Sequence, residues 1–329
     1  MGFPSFFDTK PSTKIAEEPQ GLISLRSNKR EPLISNPNIE ELDEVLRFAF
    51  AHLPETEQPA RIEAILLQLG LGTVPLDGIF QAKESDQLVG ALFTQIRSDG
   101  TIVLWPPTAP DRKTERKFFA AFERYAVRQS AKIAVMLVDR QQNVDNKTLK
   151  ELGGFAFQSE ILYLVCETKK AVDIVRNPTL EFVPMTAAHG PEFERITKLV
   201  RETYRNSSDF PALVGFTPTE EVLRGYQRDS VFHPELWFFI RYGDTEVGVL
   251  LLADQPDDQM ELIYMGLCEP YRGLGFAKEI VAKALDMAKR WNRPLLLTAV
   301  DEQNAAAIRA YLNQGFAAWD RKKVFARFF

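Results

Sequence analysis

The residues best suited to chemistry lie in one stretch. Met260–Leu267 is an apolar run, Cys268-Glu269-Pro270-Tyr271 follows, and Arg272-Gly273-Leu274-Gly275-Phe276-Ala277 comes next. Ile280, Val281, Ala284, Leu285 and Ala288 then recur at helical spacing. A strand, a glycine-rich turn and a helix start together make an anion site. The first turn of a helix has N–H groups with no intrahelical acceptor. The helix dipole adds partial positive charge there. Glycines let the backbone approach a phosphate with no Cβ in the way. The plain alternative is a tight turn with no ligand. Two familiar phosphate loops are excluded. The pattern GxxxxGK[ST] is absent, and GxGxxG needs Gly or Ala at position 278, where Lys278 stands. Metal chemistry has little to work with. Cys166 and Cys268 are the two cysteines, and His52, His189 and His233 lie far apart with no HExxH, so no metal site and no disulfide scaffold are expected.

The elements that must hold this loop alternate between strand and helix along 329 residues, a length that suits two domains. Residues 1–20 read as a loose tail, and Leu22–Leu25 as a possible first strand. Helices follow at Ile39–Phe50 and Arg61–Leu69, and strands at Gly78–Lys83, Leu88–Arg97 and Thr101–Trp105. Lys117–Val127 is a helix, Ile133–Val138 a strand, Asn146–Leu152 a short helix and Ile161–Cys166 a closing strand. A polar linker ends at Pro178. The order then begins again. Leu180–Pro184 is a strand, Glu192–Thr203 and Glu220–Gln227 are helices, and Trp237–Arg241, Val247–Ala253 and Met260–Leu267 are strands. Ala277–Trp291 is a helix, Leu295–Ala299 a strand, Ala305–Leu312 a helix and Val324–Phe328 a last strand.

The two halves share residues as well as order. Asn143 lies eleven residues before Gly154-Phe155, and Asn304 lies eleven before Gly315-Phe316. Leu88-Val89-Gly90-Ala91-Leu92 matches Glu246-Val247-Gly248-Val249-Leu250. An internal duplication explains the ordered set better than chance.

The loop and its surroundings resemble the GNAT superfamily of acyl-CoA-dependent acetyltransferases. Its phosphate loop reads [QR]-x-x-G-x-[GA], which Arg272, Gly275 and Ala277 satisfy in sequence, and its downstream Asn, Tyr and Gly-Phe appear as Asn304, Tyr311 and Gly315-Phe316. The match covers residues 178–329. The first half matches weakly, because Pro106-Pro107-Thr108-Ala109-Pro110-Asp111 carries no glycine and its prolines remove backbone donors. The layout is similar to that of two-domain members such as mycothiol synthase, although no residue argues for that enzyme's substrate. The resemblance implies an α/β (α+β) fold of two tandem domains, each a mixed, mostly antiparallel sheet flanked by helices. Their expected ranges are 21–168, degenerate, and 179–329, catalytic, joined by a linker at 169–178.

The resemblance also implies roles. The pyrophosphate of acetyl-CoA, the co-substrate, would lie on backbone N–H groups from Arg272 through Gly273, Leu274, Gly275 and Phe276 to Ala277. The pantetheine arm would pair with Met265, Gly266 and Leu267 and bond to Asn304, which is otherwise only a helix cap. Glu261 would take a proton from the acceptor amine, unless it is an exposed strand-end residue. Period-2 alternation puts it on one face with Ile263, Met265 and Leu267. Tyr311 would protonate the leaving thiolate, unless it only packs. Cys268 is read as packing rather than as a nucleophile. The stretch Glu202–Pro211 would help to build the acceptor site, with Glu202, Tyr204 and Asp209 as candidates to bind the amine, unless the acids only belong to a solvated loop. The expected reaction is direct transfer of acetyl from acetyl-CoA to an amine, a small molecule being favoured over a protein. A non-catalytic acyl-CoA-binding protein is the alternative, and an aminoacyl-tRNA-dependent transferase is a third idea.

Composition narrows the partners. The formal net charge is −5, which argues against a nucleic-acid partner. No apolar run reaches membrane length, and Met1–Phe6 does not read as a signal peptide, so a cytoplasmic monomer or homodimer without a membrane partner is expected.

Overall fold

A computed structural model describes residues 31–70, 72, 74–139, 142, 144–170, 179–208, 216–229, 232–255 and 258–329. The expected tail, the strand at Leu22–Leu25, most of the linker, Asn143 and Asp209 lie outside the described residues. The chain forms two compact units. Among the described residues, one takes 31–156 together with Phe325–Phe329, and the other takes Phe157–Val324.

The first unit contains β1 (Leu33–Ser35), α1 (Leu42–Ala49), α2 (Gln58–Gly70), β2 (Ile79–Glu84), β3 (Gln87–Ile96), β4 (Ile102–Leu104), α3 (Arg112–Arg128), β5 (Ile133–Asp139) and α4 (Asn146–Gly153). Its strand order is β1-β2-β3-β4-β5. β1 to β4 are antiparallel neighbours, and β4 and β5 are parallel. α3 buries Phe118, Phe119, Phe122 and Tyr125 against Phe80, Leu92 and Met136, and Phe325 joins the same core. Burying such a large aromatic side chain contributes roughly 1.5–3 kcal/mol.

The second unit contains β6 (Ala156–Glu167, here from Phe157), β7 (Glu181–Pro184), α5 (Pro191–Thr203), α6 (Thr219–Asp229), β8 (Trp237–Tyr242), β9 (Thr245–Gln255), β10 (Gln259–Leu267), α7 (Phe276–Arg290), β11 (Leu295–Asp301), α8 (Ala305–Leu312) and β12 (Ala317–Phe328, here to Val324). Its strand order is β12-β6-β11-β10-β9-β8-β7. β10 and β11 are parallel, and β6 runs antiparallel to β11. Each face of the sheet carries a core. α7 packs Ile280, Val281, Ala284, Leu285 and Ala288 against Leu250, Leu252, Met260 and Leu262. α5 and α6 pack Phe193, Ile196, Val200, Val222 and Leu223 against Trp237, Phe239, Val249 and Leu251 on the other face.

Each hairpin carries the same irregularity. The β2–β3 register shifts between Ala82 and Lys83, and the β8–β9 register shifts between Ile240 and Arg241, in both cases 158 residues on. A Cβ on Gly90 would meet the Thr108 carbonyl at 2.7 Å, and one on Gly248 would meet the Gly266 carbonyl at 2.2 Å. Those carbonyls are again 158 residues apart. A common irregularity and a common close approach at one constant offset are the structural counterpart of the sequence repeat.

Candidate active site

The site lies in the second unit, where two parallel strands part. β10 and β11 pair from Gln259↔Leu295 to Leu262↔Thr298, and the hydroxyl of Thr298 donates to the Leu262 carbonyl at 3.0 Å. Beyond that point no pairing between them continues, while β10 stays paired to β9 through Leu267↔Gly248. One edge of β10 therefore opens into a cavity of about 380 Å³, lined by Met265, Gly266 and Leu267 on one side and Ala299 and Val300 on the other.

At the head of the cavity the glycine turn takes a shape that favours glycine. Gly273 has φ +78° and Gly275 φ +85°, and a Cβ at either would meet no atom within 4 Å. Gly275 is the N-cap of α7 and provides no side-chain cap, so the helix begins with bare N–H groups. Gly273, Gly275, Phe276 and Ala277 line the cavity, whereas Leu274 is 59% exposed at the turn's outer side.

Arg272 also lines the cavity, but its guanidinium holds the backbone. Its Nε donates to the Leu267 carbonyl, Nη1 to Asn206 and Nη2 to Thr203, each at 2.9 Å. It ties the end of α5 to the end of β10 and sets the angle of the glycine turn. The amide of Asn206 adds a bond to Glu269 at 2.9 Å. Thr203 and Tyr264 share a hydroxyl–hydroxyl hydrogen bond of 2.8 Å, and both residues line the cavity.

The far wall is α8. Asn304 caps this helix by accepting from the Ala307 N–H at 3.2 Å, and it also faces the cavity, so the capping role and a place at the site coexist. Tyr311 is 4% exposed, packs on Phe316 at a ring separation of 5.4 Å and lines the same cavity.

Glu261 is 3% exposed and accepts a hydrogen bond from Gln255 Nε2 at 2.7 Å. The expected alternation fails beside it. The β9–β10 register shifts between Leu262 and Tyr264, leaving Ile263 as the extra residue of a bulge. Cross-strand partners share a face, and Glu261, Tyr264 and Gly266 oppose Ala253, Leu251 and Val249. Leu251 and Val249 belong to the α5–α6 core. Leu262, Met265 and Leu267 oppose Leu252, Leu250 and Gly248 and face α7. Glu261 therefore does not share a face with Met265 and Leu267, because the bulge inverts the pattern between them. Glu261 is not among the cavity-lining residues.

Of the other candidates, Glu202 pairs with Arg205 at 2.9 Å, and Tyr204 stands edge-on to Tyr264 at 5.5 Å; neither lines the cavity. Burial, with the Glu202 charge second, pushes the Cys268 thiol above its ordinary range, which disfavours the thiolate. Thr203 and Asn206 line the cavity from within the stretch expected to build the acceptor site, whereas Tyr264 and Thr298 are cavity residues that sequence reasoning did not single out. The bulge turns Tyr264 and the β10–β11 pairing sets Thr298, and neither leaves a periodic trace.

The counterpart in the first unit is built differently. At the offset of 158, Val103 occupies the place of Glu261 and Trp105 that of Ile263. β4 and β5 stop pairing after Leu104↔Met136, the equivalent point. There Trp105, Phe50 and Phe93 form a three-ring cluster with separations of 5.4–5.7 Å, and Trp105 is only 6% exposed. α3 starts at Arg112 and α7 at Phe276, a difference of 164, so the loop is 164 − 158 = 6 residues shorter. Asp111 caps α3, accepting from the Thr114 N–H at 2.7 Å, and that bond holds its carboxyl below the usual range. A carboxylate thus occupies the helix start that is bare in the second unit.

Known proteins are similar to the chain in sequence and in fold. Residues 194–316 match the family model described as Acetyltransferase (GNAT) family. The chain is 30% identical over 116 residues to peptidyl-lysine N-acetyltransferase YjaB of Escherichia coli (strain K12), covering 35% of this chain and 69% of that protein. In fold it is similar to a GCN5-related N-acetyltransferase from Sphaerobacter thermophilus, with a TM-score of 0.62 and 16% identity over 90% of this chain and 95% of that one. It is also similar to a tandem GNAT protein from the clavulanic acid biosynthesis pathway, with a TM-score of 0.54 and 13% identity over 91% and 97% of the two chains. The chain belongs to the GNAT acetyltransferase family.

Proposed function

We propose that this chain transfers an acetyl group from acetyl-CoA to an acceptor amine, directly, within a ternary complex in the second unit. One observation carries the reading. The parting of β10 and β11 opens a strand edge that leads to the uncapped, glycine-bounded start of α7. A long ligand with amides at one end and phosphates at the other fits both features. The N–H groups from Gly273 to Ala277 would hold the pyrophosphate. The open edge at Met265–Leu267 would pair with the amides of the pantetheine arm, and the side chain of Asn304 would bond to the same arm.

Acetyl-CoA, once bound, supplies an acetyl group activated as a thioester. The chain's own residues position it, exclude water and move protons. Tyr311, buried in the cavity wall, would donate its phenolic proton to the departing sulfur. Glu261 lies on the α5–α6 face, opposite α7. The amine would approach from that side, and Glu261 would receive its proton through water. The acceptor segment, from the last turn of α5 onward, would include Glu202, Tyr204 and Asp209. The first unit, with its ring-filled gap and carboxylate cap, would support this site without binding acetyl-CoA. A small-molecule amine and the side-chain amine of a protein lysine are the two acceptor classes. The name of the E. coli relative favours the second.

The test is calorimetric titration with acetyl-CoA, followed by thiol release in the presence of small amines and of lysine-containing peptides. One site and amine-dependent release are expected. No binding at millimolar acetyl-CoA would overturn the reading. Binding without release on either panel would favour a non-catalytic acyl-CoA-binding protein.

A further inference from the structure

The cavity wall holds two charged side chains, Arg272 and Arg309, and no carboxylate. Arg272 is engaged by three backbone carbonyls. Arg309 differs. It is an exposed residue on α8, and among the described residues its side chain makes no hydrogen bond or ion pair. Several basic side chains elsewhere on helices are paired along their own helix. Arg47 bonds to Asp43, Lys147 pairs with Glu151, Arg224 with Glu220 and Arg290 with Asp286, all at i,i+4 spacing. The positions three and four away from Arg309 are Ala305, Ala306, Leu312 and Asn313. No local acid is supplied, and small alanines leave room beside the guanidinium. An unpaired planar cation in the wall of a cavity that also contains a bare helix N-terminus suits a phosphate group, which it binds with two parallel N–H bonds.

We propose that Arg309 is a ligand-binding residue that contacts a phosphate group of acetyl-CoA. The inference rests on the acetyl-CoA reading above. The phosphate is either the pyrophosphate or the 3′-phosphate of the adenosine, and the two are separable by experiment.

Wild type and Arg309→Gln are titrated with acetyl-CoA and with acetyl-3′-dephospho-CoA, at low and at high salt. Arg309 is exposed, so the variant is expected to keep its melting temperature. Loss of a charge-assisted phosphate contact predicts a Kd for acetyl-CoA raised about 10-fold or more. The same loss on the dephospho compound assigns the pyrophosphate; disappearance of the loss assigns the 3′-phosphate. The ratio between variant and wild type is expected to shrink at high salt, because an exposed ion pair is screened. Binding of both compounds by the variant within about twofold of wild type overturns the proposal, as does a ratio that salt does not change. Failure of wild type to bind either compound overturns the acetyl-CoA reading and this inference with it.

Discussion

Gly275→Asp separates folding from ligand binding at the head of α7. Gly275 has φ +85°, and nothing lies within 4 Å of the Cβ it would carry. The left-handed conformation is unfavourable by about 1–2 kcal/mol for most residues, but Asp is among the few that visit it. A negative charge at a helix N-terminus returns about 0.3–1 kcal/mol. The two effects nearly cancel, so stability should change by about 1 kcal/mol or less, a shift of roughly 2–4 °C in Tm for a unit of this size. The ligand meets a different balance. A carboxylate about 5 Å from one phosphate charge, at an effective dielectric near 20, is repelled by about 3 kcal/mol. Affinity for acetyl-CoA should fall about 100-fold. Gly275→Ala carries similar backbone strain without the charge and should retain most of the affinity. Calorimetric titration and thermal unfolding of the three proteins give both quantities. If Gly275→Asp binds acetyl-CoA within about threefold of wild type while folded, the phosphates do not sit at this helix start.

Tyr311→Phe removes one hydroxyl from the buried cavity wall and should lower kcat by about 100-fold while leaving KM for acetyl-CoA nearly unchanged; an unaltered kcat removes Tyr311 from proton transfer. Arg272→Ala deletes three bonds to backbone carbonyls and should destabilise the second unit by about 2–3 kcal/mol in urea unfolding, whereas a loss under about 0.5 kcal/mol would show that the turn holds its shape without the clamp. Glu41 receives a bond from Lys83, joined by the Asn38 N–H and Gln81, and these hold its carboxyl at about 2, below an ordinary 4.5. A carboxyl depressed in the folded state stabilises above its unfolded pKa and loses that contribution as pH falls through the folded one. Wild type should therefore exceed Glu41→Gln in urea midpoint above about pH 4.5, with the gap closing toward about pH 2; a gap independent of pH would show that the carboxylate's charge is immaterial.

Periodic elements were legible in the sequence and register was not. α8 occupies Ala305–Leu312 as its apolar spacing and Asn304 cap predict, and α7, β5 and β10 differ from expectation by a residue or two at their ends. The glycine turn was legible because φ above zero favours glycine. The bulge at Ile263 left no mark, since a bulge is one extra residue within an unbroken apolar run, and it moved Glu261 to the other face. β12 begins at Ala317, seven residues before the expected Val324. Asp320-Arg321-Lys322-Lys323 conceals the strand, although Arg321 finds Glu302 and Glu160, and Lys322 finds Asp320. α3 begins at Arg112 rather than Lys117 because Asp111 caps it within a stretch that reads as charged loop. Arg272 was legible as part of a loop motif, but the three carbonyls it binds come together only in the folded chain.

The division of the chain at 156/157 and 324/325 bears on the order in which it is made and folded. The first unit includes Phe325–Phe329, where Phe325 enters the core and the Phe329 N–H bonds to the Lys132 carbonyl at 3.0 Å. Between Ala156 and Phe325 lie 324 − 156 = 168 residues, all of the second unit. At about 5–20 residues per second, a ribosome needs roughly 8–34 s to add them. During that interval the early-made unit waits with its core short of Phe325, and it is exposed to chaperones and to mispairing with neighbouring nascent chains. The later-made unit has its β6 strand in hand from the start. The half synthesised first is thus the one completed last.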